Sequence, residues 1–337
     1  MTCYWQNKYI VKKMKDKEEK KIEKDNGTVY RIGIIGTGRI AARFLAEARE
    51  VKAAEVTIVY NPKRESAQKF EQQWNVQSTD DLMLFFLMSD IVYVASPHET
   101  HYGYIQKALQ KDKHVISEKP MVLKKAEAEK LCRLAEERNL ILLEGIKTLY
   151  CPGYQMVLKL VAGGTIGTLC NVEACFTKLE KRQTRELNDT LYGGSFTELG
   201  SYGLLPVLQL LGNNPSEIRI DSLFSEKGID LFTRVSFIYE SALADITCGL
   251  GVKSEGRLLL SGTEGYILVA APWWKTQHIE VHYVDVYEEP YVGDGLRYEI
   301  AEIIRRIEEH ETKIEETAEI IERASIMEMF LKKRNKE

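Results

Sequence analysis

From Tyr30 onward, short apolar runs alternate with longer stretches in which apolar residues recur at helical spacing: RIGII, EVTIVY, DIVYVAS and HVIS, each followed by an amphipathic segment, and then ILLEGI. Uniformly apolar strands separated by helices predict a parallel sheet covered on both faces. In the first amphipathic segment Ile40, Ala41, Phe44, Leu45 and Ala48 share one helical face, so that helix is expected to pack on the sheet. After about Ile146 the rhythm changes, and LCNVEACFT, EIRIDSLF, DLFTRVSFIY, ALADITC, RLLLSG, GYILVA and HIEVHYVDVY follow with fewer helices between them. They predict a second, mainly antiparallel sheet, with a hairpin at Gly262-Thr263-Glu264-Gly265. A final amphipathic stretch from Leu296 to Lys332 predicts two closing helices.

At 337 residues the chain exceeds what one core usually organises. The expected division is a charged arm at 1–28, a first domain at 29–148 and a second at 149–337 that includes the terminal helices. Residues 12–26 are almost all charged, with only Met14 and Ile22 to bury, and cannot drive their own folding. A net charge of -4 with interleaved signs argues against nucleic acid. The absence of an apolar run of 18 residues or a signal-type leader argues against a membrane, and six scattered cysteines suit a cytoplasmic protein.

Gly36-Thr37-Gly38-Arg39-Ile40-Ala41 directly follows the strand Ile32 to Ile35 and opens a helix. In a dinucleotide-binding turn the first glycine permits the tight bend, the second lets backbone approach the pyrophosphate, and a small third residue lets helix and strand pack closely. The helix N-terminus then offers N–H groups and a positive dipole end to phosphate. The second strand ends in Tyr60-Asn61-Pro62-Lys63-Arg64, where a carboxylate would repel a 2′-phosphate. Neutral Asn61, with Lys63 and Arg64, favours NADP over NAD.

Three further blocks complete a pattern: Ser96-Pro97-His98-Glu99-Thr100-His101, Glu118-Lys119-Pro120, and Gly193-Gly194-Ser195-Phe196-Thr197-Glu198-Leu199-Gly200-Ser201-Tyr202. In order and spacing the chain resembles the glucose-fructose oxidoreductase and inositol dehydrogenase (Gfo/Idh/MocA) family over nearly all of its length after the arm. The resemblance implies an α/β fold: an N-terminal Rossmann domain with a parallel sheet, then a C-terminal α/β domain with a large, mainly antiparallel open sheet. That sheet would form a substrate wall and a homo-oligomer interface of a dimer or tetramer. It also implies NADP- or NAD-dependent chemistry on a hydroxyl or carbonyl of a sugar, polyol or related small molecule.

By the same resemblance the catalytic residues are Lys119, Tyr202 and Glu198. The cofactor contacts are Gly36, Thr37, Gly38, Arg39, Ile40, Asn61, Lys63, Arg64, Ser96, Pro97, His98, His101, Glu118 and Lys119. Hydride exchange at a carbinol carbon needs a group that moves a proton on or off the oxygen, and either Lys119 or Tyr202 has the chemistry to do so. Glu198 and Tyr202 are four residues apart and share a face if the segment is helical. Two departures stand out: the family more often carries Asp where Glu198 stands, and Ile146 to Tyr150 lacks its usual aromatic-rich start. They point to an unusual substrate or to a loss of catalysis, which keeps a non-catalytic cofactor-binding regulator open beside the enzyme alternative, a biliverdin-reductase-like reductase.

His278, Glu280 and His282 alternate along an expected strand, but so do the polar residues of any half-exposed strand, and no metal is expected. Trp273 and Trp274 are expected to fill core or interface. Cys170 and Cys175, five apart on a strand, face opposite ways and should not pair.

Overall fold

The computed structural model describes residues 27–181, 183–282, 285–313 and 316–334. The charged segment 12–26 lies outside them. The chain divides into two compact units, one of residues 25–147 and 292–325, the other of residues 148–291 and 326–337. The terminal helices, expected with the second domain, therefore belong largely to the first unit. The last of them supplies Ile320 and Ala324 to the same core as Val94, Ile105 and Leu142.

The first unit carries a six-stranded parallel sheet of β1 (Tyr30–Ile35), β2 (Ala54–Tyr60), β3 (Ser78–Thr79), β4 (Ile91–Val94), β5 (His114–Glu118) and β6 (Leu142–Gly145). The spatial order β3-β2-β1-β4-β5-β6 reverses direction between β1 and β4. Ligands of such sheets sit at the carboxyl ends of the strands at that reversal. Helices α1 (Arg39–Ala48), α2 (Arg64–Trp74), α3 (Leu82–Leu87), α4 (His98–Gln110) and α5 (Lys125–Glu137) connect the strands. On α1 the buried stripe is Ala41, Phe44, Leu45 and Ala48, and Phe44 stacks on Tyr93 of β4 at 3.6 Å between ring centroids. Ile40, expected in that stripe, is half-buried. Glu47 is buried with it, because Arg297 grips both of its carboxylate oxygens from the start of α8 (Leu296–Glu308).

In the second unit, α6 (Pro152–Ala162) leads into β7 (Leu169–Thr177), and α7 (Ser195–Leu211) leads into β8 (Glu217–Phe224). Strands β9 (Asp230–Ile238), β10 (Leu243–Gly249), β11 (Leu258–Gly262), β12 (Tyr266–Val269), β13 (His278–Val281) and β14 (Asp285–Glu288) complete an eight-stranded sheet ordered β14-β13-β12-β11-β7-β10-β9-β8. Only β7 and β10 pair in parallel, joined by a connection long enough for a crossover. The expected hairpin links β11 and β12. HIEVHYVDVY, read as one strand, is divided between two strands, β13 and β14, paired antiparallel. The last helix, α9, spans Thr317–Arg334.

Helix α7 covers one face of this sheet and is buried along nearly its whole length. Tyr202 meets Phe176 of β7, and Gly203 lies against Ile246 of β10. The opposite face presents Glu173, Arg234, Asp245 and Thr247. Among the described residues no helix is long and apolar enough to cross a membrane.

Candidate active site

The turn between β1 and α1 shows two different uses of glycine. Gly36 has φ +114°, and a Cβ there would lie 2.5 Å from the Ala95 carbonyl oxygen. Only glycine lets β1 pass so close to the end of β4. Gly38, the N-cap of α1, has an ordinary φ of -85°. A Cβ there would meet no atom within 4 Å, so the backbone faces a cradle that a side chain would fill. A pyrophosphate fits such a cradle at a helix N-terminus.

Asn61 ties this turn to β2, its Nδ2 donating to Thr37 Oγ1 at 2.7 Å and its Oδ1 accepting from the Lys63 N–H at 2.9 Å. Its amide shapes the loop from within, while Lys63 and Arg64 stand exposed where α2 begins. Arg39 is exposed at the start of α1, and Ile40 beside it is half-buried. Farther along the rim, Ser96, Pro97 and His98 lead from β4 into α4, with Thr100 Oγ1 donating to the Pro97 carbonyl at 2.7 Å.

Two residues counted with the cofactor contacts sit behind the rim. His101 is fully buried, with its ring nitrogens 2.8 Å from the Ser96 carbonyl and 3.1 Å from the Pro120 carbonyl. Burial pushes its pKa down to about 4. Its place is to brace the Ser96 loop against the Lys119-Pro120 turn. Glu118 is also buried, accepting from the Tyr93 hydroxyl at 2.5 Å and from the Lys119 N–H at 3.3 Å. Lys119 itself is half-buried at the carboxyl end of β5. Next to it, Glu144 accepts from the Met121 N–H and from Arg323 Nε, and that ion pair is almost entirely buried.

In the second unit, Gly194 opens α7 with φ +111°, and a Cβ there would sit 1.9 Å from Asp230 Oδ1, so the position suits only glycine. Asp230 Oδ2 accepts from the Phe196 N–H at 2.8 Å and from Thr233 Oγ1 at 2.7 Å. Burial pushes the pKa of this fully buried carboxyl up to about 6. Arg334 donates to the Gly193 and Leu191 carbonyls and pins the approach to the helix.

Helix α7 then carries Glu198 and Tyr202 one turn apart, as expected. Glu198 is half-buried and pairs with Arg185 at 3.0 Å. Tyr202 packs edge-on against Phe176 at 5.1 Å, and Trp274 stacks on the other side of this cluster, 3.5 Å from Phe176. Trp273 is core, its indole N–H donating to the Cys175 carbonyl.

Arg185, Tyr93, Glu144 and Arg323 escaped the sequence reading, since each is placed by a partner that is not its neighbour in the chain. Among the described residues no cluster of three or more His, Cys, Asp or Glu side chains could hold a metal. His278 instead bridges Glu280 and Glu288 across the β13–β14 edge. The five described cysteines are free.

A glycine cradle at the reversal point of a parallel sheet, with a lysine on the same rim, defines a dinucleotide-dependent enzyme of the Rossmann type. Residues 30–146 match the sequence model of the oxidoreductase family with an NAD-binding Rossmann fold, and residues 154–268 match the GFO/IDH/MocA C-terminal domain. The chain belongs to this family, as the motif blocks implied. It is similar to scyllo-inositol 2-dehydrogenase (NADP(+)) IolU of Bacillus subtilis, at 26% identity over 88% of this chain and 96% of that protein. It is also similar to trans-1,2-dihydrobenzene-1,2-diol dehydrogenase of Danio rerio, at 25% identity over 82% of this chain and 87% of that one. The fold is that of KijD10, a 3-ketoreductase from Actinomadura kijaniata solved with NADP and TDP-benzene, with a TM-score of 0.75 at 22% identity over 89% of this chain and 96% of that chain.

Proposed function

We propose that the protein is an NADP(H)-preferring dehydrogenase or reductase acting at a secondary alcohol or carbonyl carbon of a polyol, sugar or related small molecule. The observation that carries this reading is that the open cradle at Gly38 and Lys119 follow the carboxyl ends of β1 and β5, two strands of one parallel sheet. When bound, the nicotinamide supplies or accepts a hydride. The matching proton moves on or off the substrate oxygen, and Lys119 handles it at Nζ. Tyr202, its ring fixed by Phe176, is the second proton-handling group. Glu198 orients a substrate hydroxyl, and Arg185 holds that carboxylate in place.

Lys63 and Arg64 at the start of α2 are suited to a 2′-phosphate, and no carboxylate ends β2 to repel one. IolU is NADP(+)-dependent by name and KijD10 was solved with NADP, which favours the same cofactor here. The open face of the second sheet exposes Leu223, Ile238, Leu243 and Val286, which supports a homo-oligomer formed through it. Leu243→Glu should then lower the mass measured by light scattering. The free thiols favour a reducing, cytoplasmic setting.

The test follows absorbance at 340 nm with NADP+ and a panel of inositols, aldoses and dihydrodiols, scyllo-inositol first. On the substrate found, Lys119→Ala should lower kcat by roughly a hundredfold or more while cofactor binding persists. Unchanged turnover in both Lys119→Ala and Tyr202→Phe would sink the mechanism.

A further inference from the structure

Glu299 lies in the first turn of α8, fully buried, and among the described residues neither of its carboxyl oxygens has a hydrogen-bond partner. A buried carboxyl so placed costs stability and persists only where something requires it. Its Oε2 is 3.5 Å from where a Cβ on Gly145 would stand, and that same point is 3.6 Å from Glu118 Cα. Gly145 pairs with Glu118 across β6 and β5, so a missing side chain keeps a gap open between the two glutamates. Glu118 in turn accepts from Tyr93 and from the Lys119 N–H.

The charged groups facing Glu299 are Glu118 from β5, Lys147 from the turn after β6, and Glu47 from α1. Glu47 is already engaged by Arg297, and Lys147 Nζ donates to the Asp294 carbonyl. Of these groups only the Lys147 ammonium would offset a second full negative charge beside Glu118, against two carboxylates and burial. Burial, then the nearby Glu118 carboxylate, raise the Glu299 pKa well above the usual carboxylate range.

We propose that Glu299 is a positioning residue: held as the neutral acid, it donates its hydrogen toward the Glu118 carboxylate across the gap at Gly145 and so fixes the end of β5 that carries Lys119. This rests on Lys119 being the proton-handling group. A neutral carboxyl retains a donor, whereas Glu118 as a carboxylate only accepts, so the pair is complementary with one charge between them.

Two variants of similar size separate donor from bulk: Glu299→Gln keeps a donor and cannot ionise, and Glu299→Met keeps neither. In apo protein, an acid whose folded pKa is raised contributes stability that is fully present below its unfolded value of about 4.5 and is lost as pH rises toward the folded one. Glu299→Gln should therefore melt with the wild type near pH ~5 and increasingly above it toward pH ~9. With NADPH followed by fluorescence and turnover on the substrate found, both variants should bind cofactor as the wild type does. Glu299→Met should lower kcat about tenfold, and Glu299→Gln should restore it to within about threefold. A Gln variant less stable than wild type at neutral pH would show an ionised, paired Glu299 and overturn the proposal. A Met variant with wild-type kcat would do the same. If Lys119→Ala proves fully active, the catalytic reading fails, while the melting comparison still reports the charge state of Glu299. If the Met variant does not fold, the melting curves of Glu299→Gln against pH decide alone.

Discussion

The same substitution two residues apart should have opposite consequences. At Gly36, alanine would be forced to φ +114° with its Cβ 2.5 Å from the Ala95 carbonyl oxygen. That conformation costs a non-glycine residue roughly 1–3 kcal/mol. Forcing a carbon against the end of β4 adds about 1–3 kcal/mol more, because the contact is with backbone; the Ala95 N–H is hydrogen-bonded to the Ile35 carbonyl at 2.8 Å. A loss of about 4 kcal/mol lowers Tm by roughly 8–16 °C at 2–4 °C per kcal/mol. At Gly38, φ is -85° and the added carbon meets no atom within 4 Å, so Tm should stay close to wild type. What fills is the cradle, and NADPH affinity should fall about tenfold or more, ~1.4 kcal/mol per decade. Differential scanning fluorimetry and NADPH fluorescence titration read the two effects on the same preparations. A Gly38→Ala protein that binds NADPH as tightly as wild type would refute the placement of the pyrophosphate. A Gly36→Ala protein that melts like wild type would refute the backbone geometry of the turn.

Further outcomes follow from buried charges. Asp230 has its pKa raised from 3.8 to about 6, so the stability it contributes is present below pH ~4 and should fall by about 3 kcal/mol as pH rises through ~6. Urea denaturation at stepped pH should show this slope in the wild type and lose most of it in Asp230→Asn. Arg323→Met strands Glu144 inside the first unit and should cost about 3–5 kcal/mol in the same assay, with the double variant Glu144→Gln/Arg323→Met recovering much of it. Arg185→Ala releases Glu198 and should raise KM for the substrate several-fold without changing NADPH affinity, whereas a weakened cofactor would contradict the assigned role.

Much of the first unit was legible because its signals are local. β1, the glycine turn and α1 occupy consecutive residues, and Gly36 answers to the backbone just after the adjacent strand β4. The α7 helix was legible for a similar reason, since Glu198 and Tyr202 are separated by one turn. What escaped depends on residues far apart in sequence: Glu144 meets Arg323 at a separation of 179 residues, and Arg297 reaches Glu47 at a separation of 250. Local patterns carry no trace of such pairs, so nothing within the first helix marks Glu47 as buried. His101 was misplaced by its neighbours, since Ser96 to His98 lie on the rim and one further helical turn points it inward. The β13–β14 pairing was hidden because no glycine or proline stands between His278 and Glu288 to mark a break.

The most direct test is a parallel fluorescence titration of wild type and the Lys63→Ala/Arg64→Ala variant with NADPH and NADH. Charge-assisted contacts to a 2′-phosphate are worth about 1.5–3 kcal/mol, so the wild type should bind NADPH roughly ten- to a hundredfold more tightly than NADH. The variant should lose that preference while its NADH affinity stays put. Equal or tighter binding of NADH by the wild type, or no binding of either nucleotide, would contradict the assignment.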